Sequence, residues 1–222
     1  MIKRVQLLLI CGALAGVAST AGAQCPIWET PRPYATAADI PPQLSAASRQ
    51  IIARLGDSLR TAAVPDQPLY SKAAEGVFKC ATDTRIITAV RTLAHELGAA
   101  RAALGTSADE ADIVAAASAL HVGATPSTLI QLRDTYRAAG PAQRASLATQ
   151  LVALTDLLAR GVPALAAAAA IDSLAARRAP ADDFAALRAA VARDIGAGRA
   201  PEASVVQRTQ ILLKGIDSRR QP

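Results

Sequence analysis

The pair of residues that most suggests catalysis is His95 with Glu96, which begins like the His-Glu-x-x-His motif of zinc proteases. Position 99 is alanine, so the second histidine of that motif is missing. Two histidines four residues apart are what places both ligands on one face of a helix. His121 ends a predicted helix, where an imidazole can interact with free carbonyls. The sequence therefore predicts no metal site and no cofactor.

Acidic residues occur in groups that predict helix starts. Asp182 and Asp183 follow Pro180 and precede a helical pattern. A pair of carboxylates can perform acid–base chemistry, but acidic groups in a first helical turn also favour the positive end of the helix dipole. We favour the structural role.

Three further motifs also indicate helix starts or helix surfaces. Ser107 and Glu110 form a capping box, and Asp83 is a plausible N-cap. Glu75 and Lys79 lie four residues apart, the spacing of an ordinary helix ion pair.

Serines offer no basis for hydrolase chemistry. Ser118 and Ser146 lie in Ala-rich helical runs without the strand–turn–helix elbow that presents a nucleophile. The sequence predicts no catalytic residue, and an enzyme without a recognisable motif is the least favoured hypothesis.

Cys25 and Cys80 predict a disulfide if the chain is exported, because cysteine pairs oxidise outside the cytoplasm. Two separate thiols are the alternative. A disulfide would hold the segment after Cys25 near the first helices, where Trp28 and Tyr34 could cover apolar surface near Tyr70 and Phe78.

Export is predicted by the first 23 residues. Two basic residues precede an apolar run over residues 5–17, and small residues end at Ala23, so cleavage is expected between Ala23 and Gln24. The apolar run is too short for a comfortable permanent anchor. Gln24 before Cys25 disfavours a lipoprotein, since lipidation needs a small residue there. The expected location is periplasmic or secreted, without a transmembrane anchor in the mature chain.

Composition disfavours nucleic-acid binding. The formal net charge is +6, and basic residues alternate with acidic ones on most predicted helices. The six aromatic residues are scattered along the chain, whereas base-stacking surfaces need them in groups.

The periodicity beyond residue 43 is helical. Apolar residues recur at steps of three and four in several stripes, which include Leu44, Ala47, Ile51, Leu55, Leu59 and Ala62; Ile86, Val90, Leu93, Leu97 and Leu104; Ile113 and Leu120; and Phe184, Leu187, Val191 and Ile195. Residues 164–170 form a small-residue helix, suited to close helix packing or, as an alternative, to a groove for an apolar partner helix.

Predicted helix joints recur along the chain. Each has a helix-ending glycine and then a proline near the next helix start: Gly123 with Pro126, Gly161 with Pro163, and Gly198 with Pro201. Cys80 stands at the equivalent earlier place. The four positions are separated by 43, 38 and 37 residues, which suits units of two helices.

The predicted fold is all-α, either an irregular helical bundle or a short array of helix-turn-helix units. The expected organisation is a signal peptide at 1–23, an extended Pro-rich arm at 24–42, one helical domain at 43–216 and a flexible basic tail at 217–222.

Two segments resemble exported bacterial helical proteins of unknown function. These are residues 69–76 with Lys79 and 85–91, and the Gly-Val-Pro joint within 158–163. The resemblance covers roughly residues 50–205, departs at Cys80, and implies an exported helical protein without established activity or functional residues.

The favoured function is an interaction or scaffold module for an envelope or extracellular protein. The alternative is a carrier of an acyl chain or another apolar ligand.

Overall fold

The computed structural model describes residues 40–140 and 145–219, and the regular structure within them is helical. This confirms the all-α prediction. The leader, the arm up to residue 39, Cys25 and the last three residues lie outside the described residues. The helices are α1 (Ala46–Thr61), α2 (Gln67–Phe78), α3 (Asp83–Leu104), α4 (Glu110–His121), α5 (Pro126–Ala139), α6 (Leu147–Ala159), α7 (Ala164–Ala176), α8 (Ala181–Gly196) and α9 (Pro201–Ser218).

The helices stack as a short two-row array. The odd-numbered helices α1, α3, α5, α7 and α9 pack side by side in one row, and α4, α6 and α8 form the second. Helix α2 packs on α1 and α3 at the N-terminal end. Every substantial contact in the described chain joins helices that are adjacent in sequence or separated by one other helix. Such nearest-neighbour packing is typical of helical repeat proteins, so the structure agrees with the predicted array of helix-turn-helix units.

Small residues let the helices of this array pack closely. In α7, Ala167 and Ala170 are buried, as expected for close packing, while Leu165 points to solvent. This helix contacts α5, α6, α8 and α9. Helix α4 buries alanine on several sides, at positions 115, 116, 117 and 119. Because a methyl group occupies little space, each of these helices can touch several neighbours.

The buried stripe of α1 is rotated from the predicted one. Ala47 and Ala62 are exposed, whereas Ile52 and Gly56 are buried. A β-carbon on Gly56 would lie 2.1 Å from the Tyr70 hydroxyl oxygen, so the glycine makes room for that ring. The sequence analysis assigned Ala47 and Ala62 to the buried stripe and did not assign Gly56 to it. In α3 and α8, Ile86, Val90, Leu97, Leu104, Phe184, Leu187 and Val191 are buried as predicted.

The predicted joints end the even-numbered helices. Gly123, Gly161 and Gly198 have φ of +105°, +79° and +84°, in the left-handed region that ends helices, and Cys80 takes the same role with φ of +54°. At Gly161 the N–H donates to the Leu158 carbonyl at 2.9 Å, and the next N–H donates to the Leu157 carbonyl at 3.1 Å. This is the Schellman pattern, and the other three joints repeat it.

Two further helix ends use the same geometry without glycine. Ala63 after α1 and Arg178 after α7 have φ of +54° and +51° and make the same two backbone bonds. The sequence offered no glycine at either place, so these joints were not predicted. Helix packing holds the backbone there in a conformation that side chains disfavour.

Two N-terminal assignments differ from the sequence predictions. Thr82, not Asp83, is the N-cap residue of α3. Asp109, not Ser107, caps α4 and accepts the Asp112 N–H at 2.8 Å. Ser107 instead accepts a hydrogen bond from Arg137 on α5. In each case several polar residues stand together, and their tertiary contacts decide which of them caps the helix.

The prolines of the joints occupy two different positions. Pro126 and Pro201 are the first residues of α5 and α9, as predicted, and Thr125 caps α5. Pro163 lies one position earlier, at the N-cap of α7.

The first and last helices mark the two ends of the described helical region. The first helix begins at Ala46, after a turn in which the Leu44 N–H donates to the Pro41 carbonyl at 3.2 Å. Helix α9 continues through Asp217 and Ser218, into the segment expected to be a tail.

Candidate functional surfaces

The histidine candidates do not come together. His121 lies in the last turn of α4 as expected, and its Nδ1 is 2.9 Å from the Glu96 Oε1 on α3. The Glu96 side chain is 14% exposed and that of His121 is 65% exposed, so the pair joins two helices at the protein surface. His95 is exposed on the neighbouring position. No group of three potential metal ligands occurs among the residues with described positions.

The two acids that begin α8 have different environments. Asp182 is exposed, while Asp183 is buried and accepts a hydrogen bond from Arg219 at 2.8 Å. This ion pair joins the start of α8 to the end of α9. Both residues lie in the first helical turn, as the sequence predicts.

Asp112 at the start of α4 contacts the next even helix. Burial raises the pKa of its carboxyl, and the neighbouring Asp109 adds to that rise. The backbone N–H of Ala148, in the first turn of α6, lies near this carboxyl and partly opposes the rise in its pKa. Asp112 therefore lies beside the start of the next helix in the even row.

The remaining polar candidates have structural partners. The Ser118 hydroxyl donates to the Val114 carbonyl at 3.0 Å, and Ser146 caps α6 by accepting the Thr149 N–H at 3.1 Å. Glu75 accepts from both Lys72 and Lys79, which lowers its pKa. These hydrogen bonds give each of the three residues a structural role.

A bidentate ion pair that sequence reasoning missed joins the last two helices. Arg208 of α9 donates through Nε and Nη2 to the Asp194 carboxylate of α8 at 2.8 and 2.6 Å. These hydrogen bonds hold the pKa of Asp194 below its usual value. The partners are 14 residues apart, so helical spacing alone gives no indication of the contact.

Helices α4, α6 and α8 each have a pair of solvent-accessible positions, four residues apart, with short uncharged side chains. We call this the even face and define it by two positions per helix, namely Val114, Ser118, Ala148, Val152, Ala185 and Ala189, which are exposed or half-buried. Residues four apart lie on the same side of a helix. The most exposed large apolar residue of this face is Val152, at 43%.

No helix in residues 40–140 and 145–219 combines the length and the apolar character needed to cross a membrane. Comparisons with protein families, curated proteins and solved structures find no match for this chain. The resemblance to exported helical proteins stays a prediction.

Cys80 is exposed at the first joint, three residues before Asp83. Its predicted partner Cys25 lies outside the described residues, so the disulfide stays a prediction.

Proposed function

We propose that this chain is an exported helical scaffold that binds a protein partner of the envelope or the extracellular space. The observation that carries the proposal is the array itself, in which each helix contacts only its near neighbours. Stacked helix pairs create extended surfaces that do not depend on a single central cavity, and repeat proteins use such surfaces for binding.

The even face is the surface that we assign to the partner. Its short side chains let another backbone approach closely, and none of its six defining positions is charged. Burial of Val152 and its neighbours against a partner would remove apolar surface from water, the main driving force of association. Export is supported by the leader at residues 1–23.

The experiment compares three forms of the exported chain as bait in its native envelope: wild type, Val152→Glu and Ile130→Glu. Ile130 lies on α5 in the other row and has a similar exposure of 39%, so its variant is a matched control. We expect one partner to be recovered by wild type and Ile130→Glu, and to be depleted at least tenfold by Val152→Glu.

Three outcomes contradict this proposal in different ways. Equal recovery by all three baits would reject the even face. Failure to recover any partner above an unrelated helical bait would reject the scaffold function. A lipid that co-purifies with the chain, detected by native mass spectrometry, would support the carrier function instead.

A further inference from the structure

Helix α9 buries few apolar side chains for its length. Its buried residues are Ser204, Val205, Thr209 and Ile216, so two of the four are hydroxyl residues, and Leu212 and Leu213 are half-buried. Helix α3, by comparison, buries eight residues, all of them apolar. Because apolar burial is the main favourable term in helix packing, α9 depends more than α3 on other contacts.

Ion pairs with α8 provide such contacts at two places along α9. The Arg208 guanidinium donates to the Asp194 carboxylate at 2.8 and 2.6 Å, and Arg219 donates to Asp183 at 2.8 Å. Both aspartates are only 7% exposed. Arg199, in the joint after α8, also lies 3.6 Å from the Asp194 carboxylate. Loss of charge on one partner of such a shielded pair is strongly destabilising.

The other charged groups around α9 are mainly basic. Helix α9 contacts α7 and α8, and Arg177 at the end of α7 donates to Asp217 of α9. On α8, Arg188 pairs with Asp156 of α6, which also pairs with Arg160. The remaining charged residues on α7, α8, α9 and the joint after α7 are Asp172, Arg178, Asp182, Arg193, Glu202 and Lys214. The aspartates therefore neutralise a surface with many arginines.

Acid changes the attraction between α8 and α9 into repulsion. The hydrogen bonds from Arg208 lower the pKa of Asp194, and the charges of Arg199 and Arg193 add to this effect. The stabilisation is therefore present above the pKa of an unfolded aspartate, about 4, and is lost as the pH falls through the lower pKa of the folded state. Arginine keeps its charge throughout, so the basic groups on both sides then repel each other.

The middle of the array has no comparable contact. Helix α4 contains no lysine or arginine, and in the described part of the chain no ion pair joins it to α6. These two helices bury mainly isoleucine, leucine and alanine against their neighbours. Protonation of carboxylates therefore removes less stability from this region than from the end of the array.

We propose that α9 and its ion pairs through Asp183 and Asp194 form an acid-sensitive latch at the C-terminal end of the array. When each of these carboxylates takes up a proton, α9 leaves the sides of α7 and α8 that it covers, while α1 to α6 stay folded. No covalent bond changes in this step. The latch goes beyond the proposed function and does not depend on the partner of the even face.

Hydrogen exchange of the full chain tests the latch in the wild type. Rates are corrected for the intrinsic exchange rate at each pH. Between pH 7 and pH 3, the protection of the α9 amides should fall by about tenfold or more, while the α4 amides keep theirs.

A charge-neutral variant separates the latch from other effects of acid. Asp183→Asn/Asp194→Asn has the shape of the protonated acids, so α9 should lose protection to the same extent already at pH 7. The matched control is Asp57→Asn/Asp134→Asn, which removes two carboxylates that are in ion pairs but are 65% and 57% exposed. Exposed pairs contribute little, so this control should keep α9 protected.

A second variant breaks the same pairs from the side of α9. Arg208→Gln/Arg219→Gln leaves the first turn of α8 unchanged and should also lower the protection of α9 at pH 7. Protection of α9 equal to wild type in both charge variants would overturn the latch. An equal loss of protection in α9 and α4 would also overturn it, because the whole array would then unfold as one unit.

Discussion

At the scale of single residues, Tyr70 is the most strongly perturbed side chain in the described part of the protein. Burial, aided by the hydrogen bond to Asp66, raises its pKa to about 12. The unfolded chain binds this proton less tightly, so the folded state loses its advantage as the pH rises. We expect the free energy of unfolding to fall by about 2 to 3 kcal/mol between pH 10 and pH 12.

Ultraviolet absorbance of tyrosinate measures this titration directly. The chain has three tyrosines, and the step at highest pH should vanish in Tyr70→Phe. A step near pH 10 that accounts for all three tyrosines would contradict the buried environment of Tyr70.

Gly76 shows how a neighbour reverses the expectation from helix propensity. Alanine in a helix interior is favoured over glycine by about 1 kcal/mol. A β-carbon at Gly76, however, would lie 2.6 Å from Cγ1 of the buried Ile86. We therefore expect Gly76→Ala to destabilise the protein by about 1 to 3 kcal/mol, as overpacking of a core does.

Gly98 in α3 is the matched control, since nothing lies within 4 Å of an added β-carbon there. Gly98→Ala should raise the denaturant midpoint while Gly76→Ala lowers it. Equal shifts of the midpoint in the two variants would mean that the Ile86 side chain moves aside without a loss of stability.

At the scale of elements, the joints give a reciprocal pair of substitutions. Gly161→Ala places a β-carbon at a φ of +79° and should destabilise by about 1 kcal/mol. Arg178→Gly removes a side chain from the same conformation and should stabilise by up to about 1 kcal/mol, after the added freedom of the unfolded chain is subtracted.

Chemical denaturation of both variants checks these opposite signs. If Arg178→Gly were destabilising by as much as Gly161→Ala, the guanidinium would have contacts that outweigh its backbone strain. The Arg178 side chain would then contribute to stability at the end of α7 in addition to the backbone hydrogen bonds.

At the scale of the whole molecule, nearest-neighbour packing predicts that damage stays local. Leu69 on α2 and Leu187 on α8 are both fully buried, and their helices share no substantial contact. Replacing either with alanine should cost about 2 to 5 kcal/mol. Stability in such arrays is close to a sum of local terms, so each loss should open mainly its own end.

Native-state hydrogen exchange distinguishes the two ends. Leu69→Ala should speed exchange in α1 to α3, and Leu187→Ala should speed it in α6, α8 and α9. Faster exchange along the entire chain in both variants would indicate one global cooperative unit instead of an array.

The sequence by itself determined the helices, the positions of four joints and the stripes of α3 and α8. These features depend on interactions within about five residues, such as the Schellman bonds around Gly161 and the periodic burial of Val90 and Leu97. Local backbone geometry and the spacing of apolar side chains along the chain therefore suffice to predict these features.

Only the tertiary structure decided which helix faces meet. Gly56 with Tyr70, Glu96 with His121, and Ser45 with Asp83 join residues 14, 25 and 38 positions apart. Ala-rich helices present similar faces on several sides, so periodicity cannot choose among the possible contacts. Side-chain packing selects the contacts that form. The buried Gly56 leaves space for the Tyr70 ring, and the Asp83 carboxylate at the start of α3 accepts a hydrogen bond from Ser45.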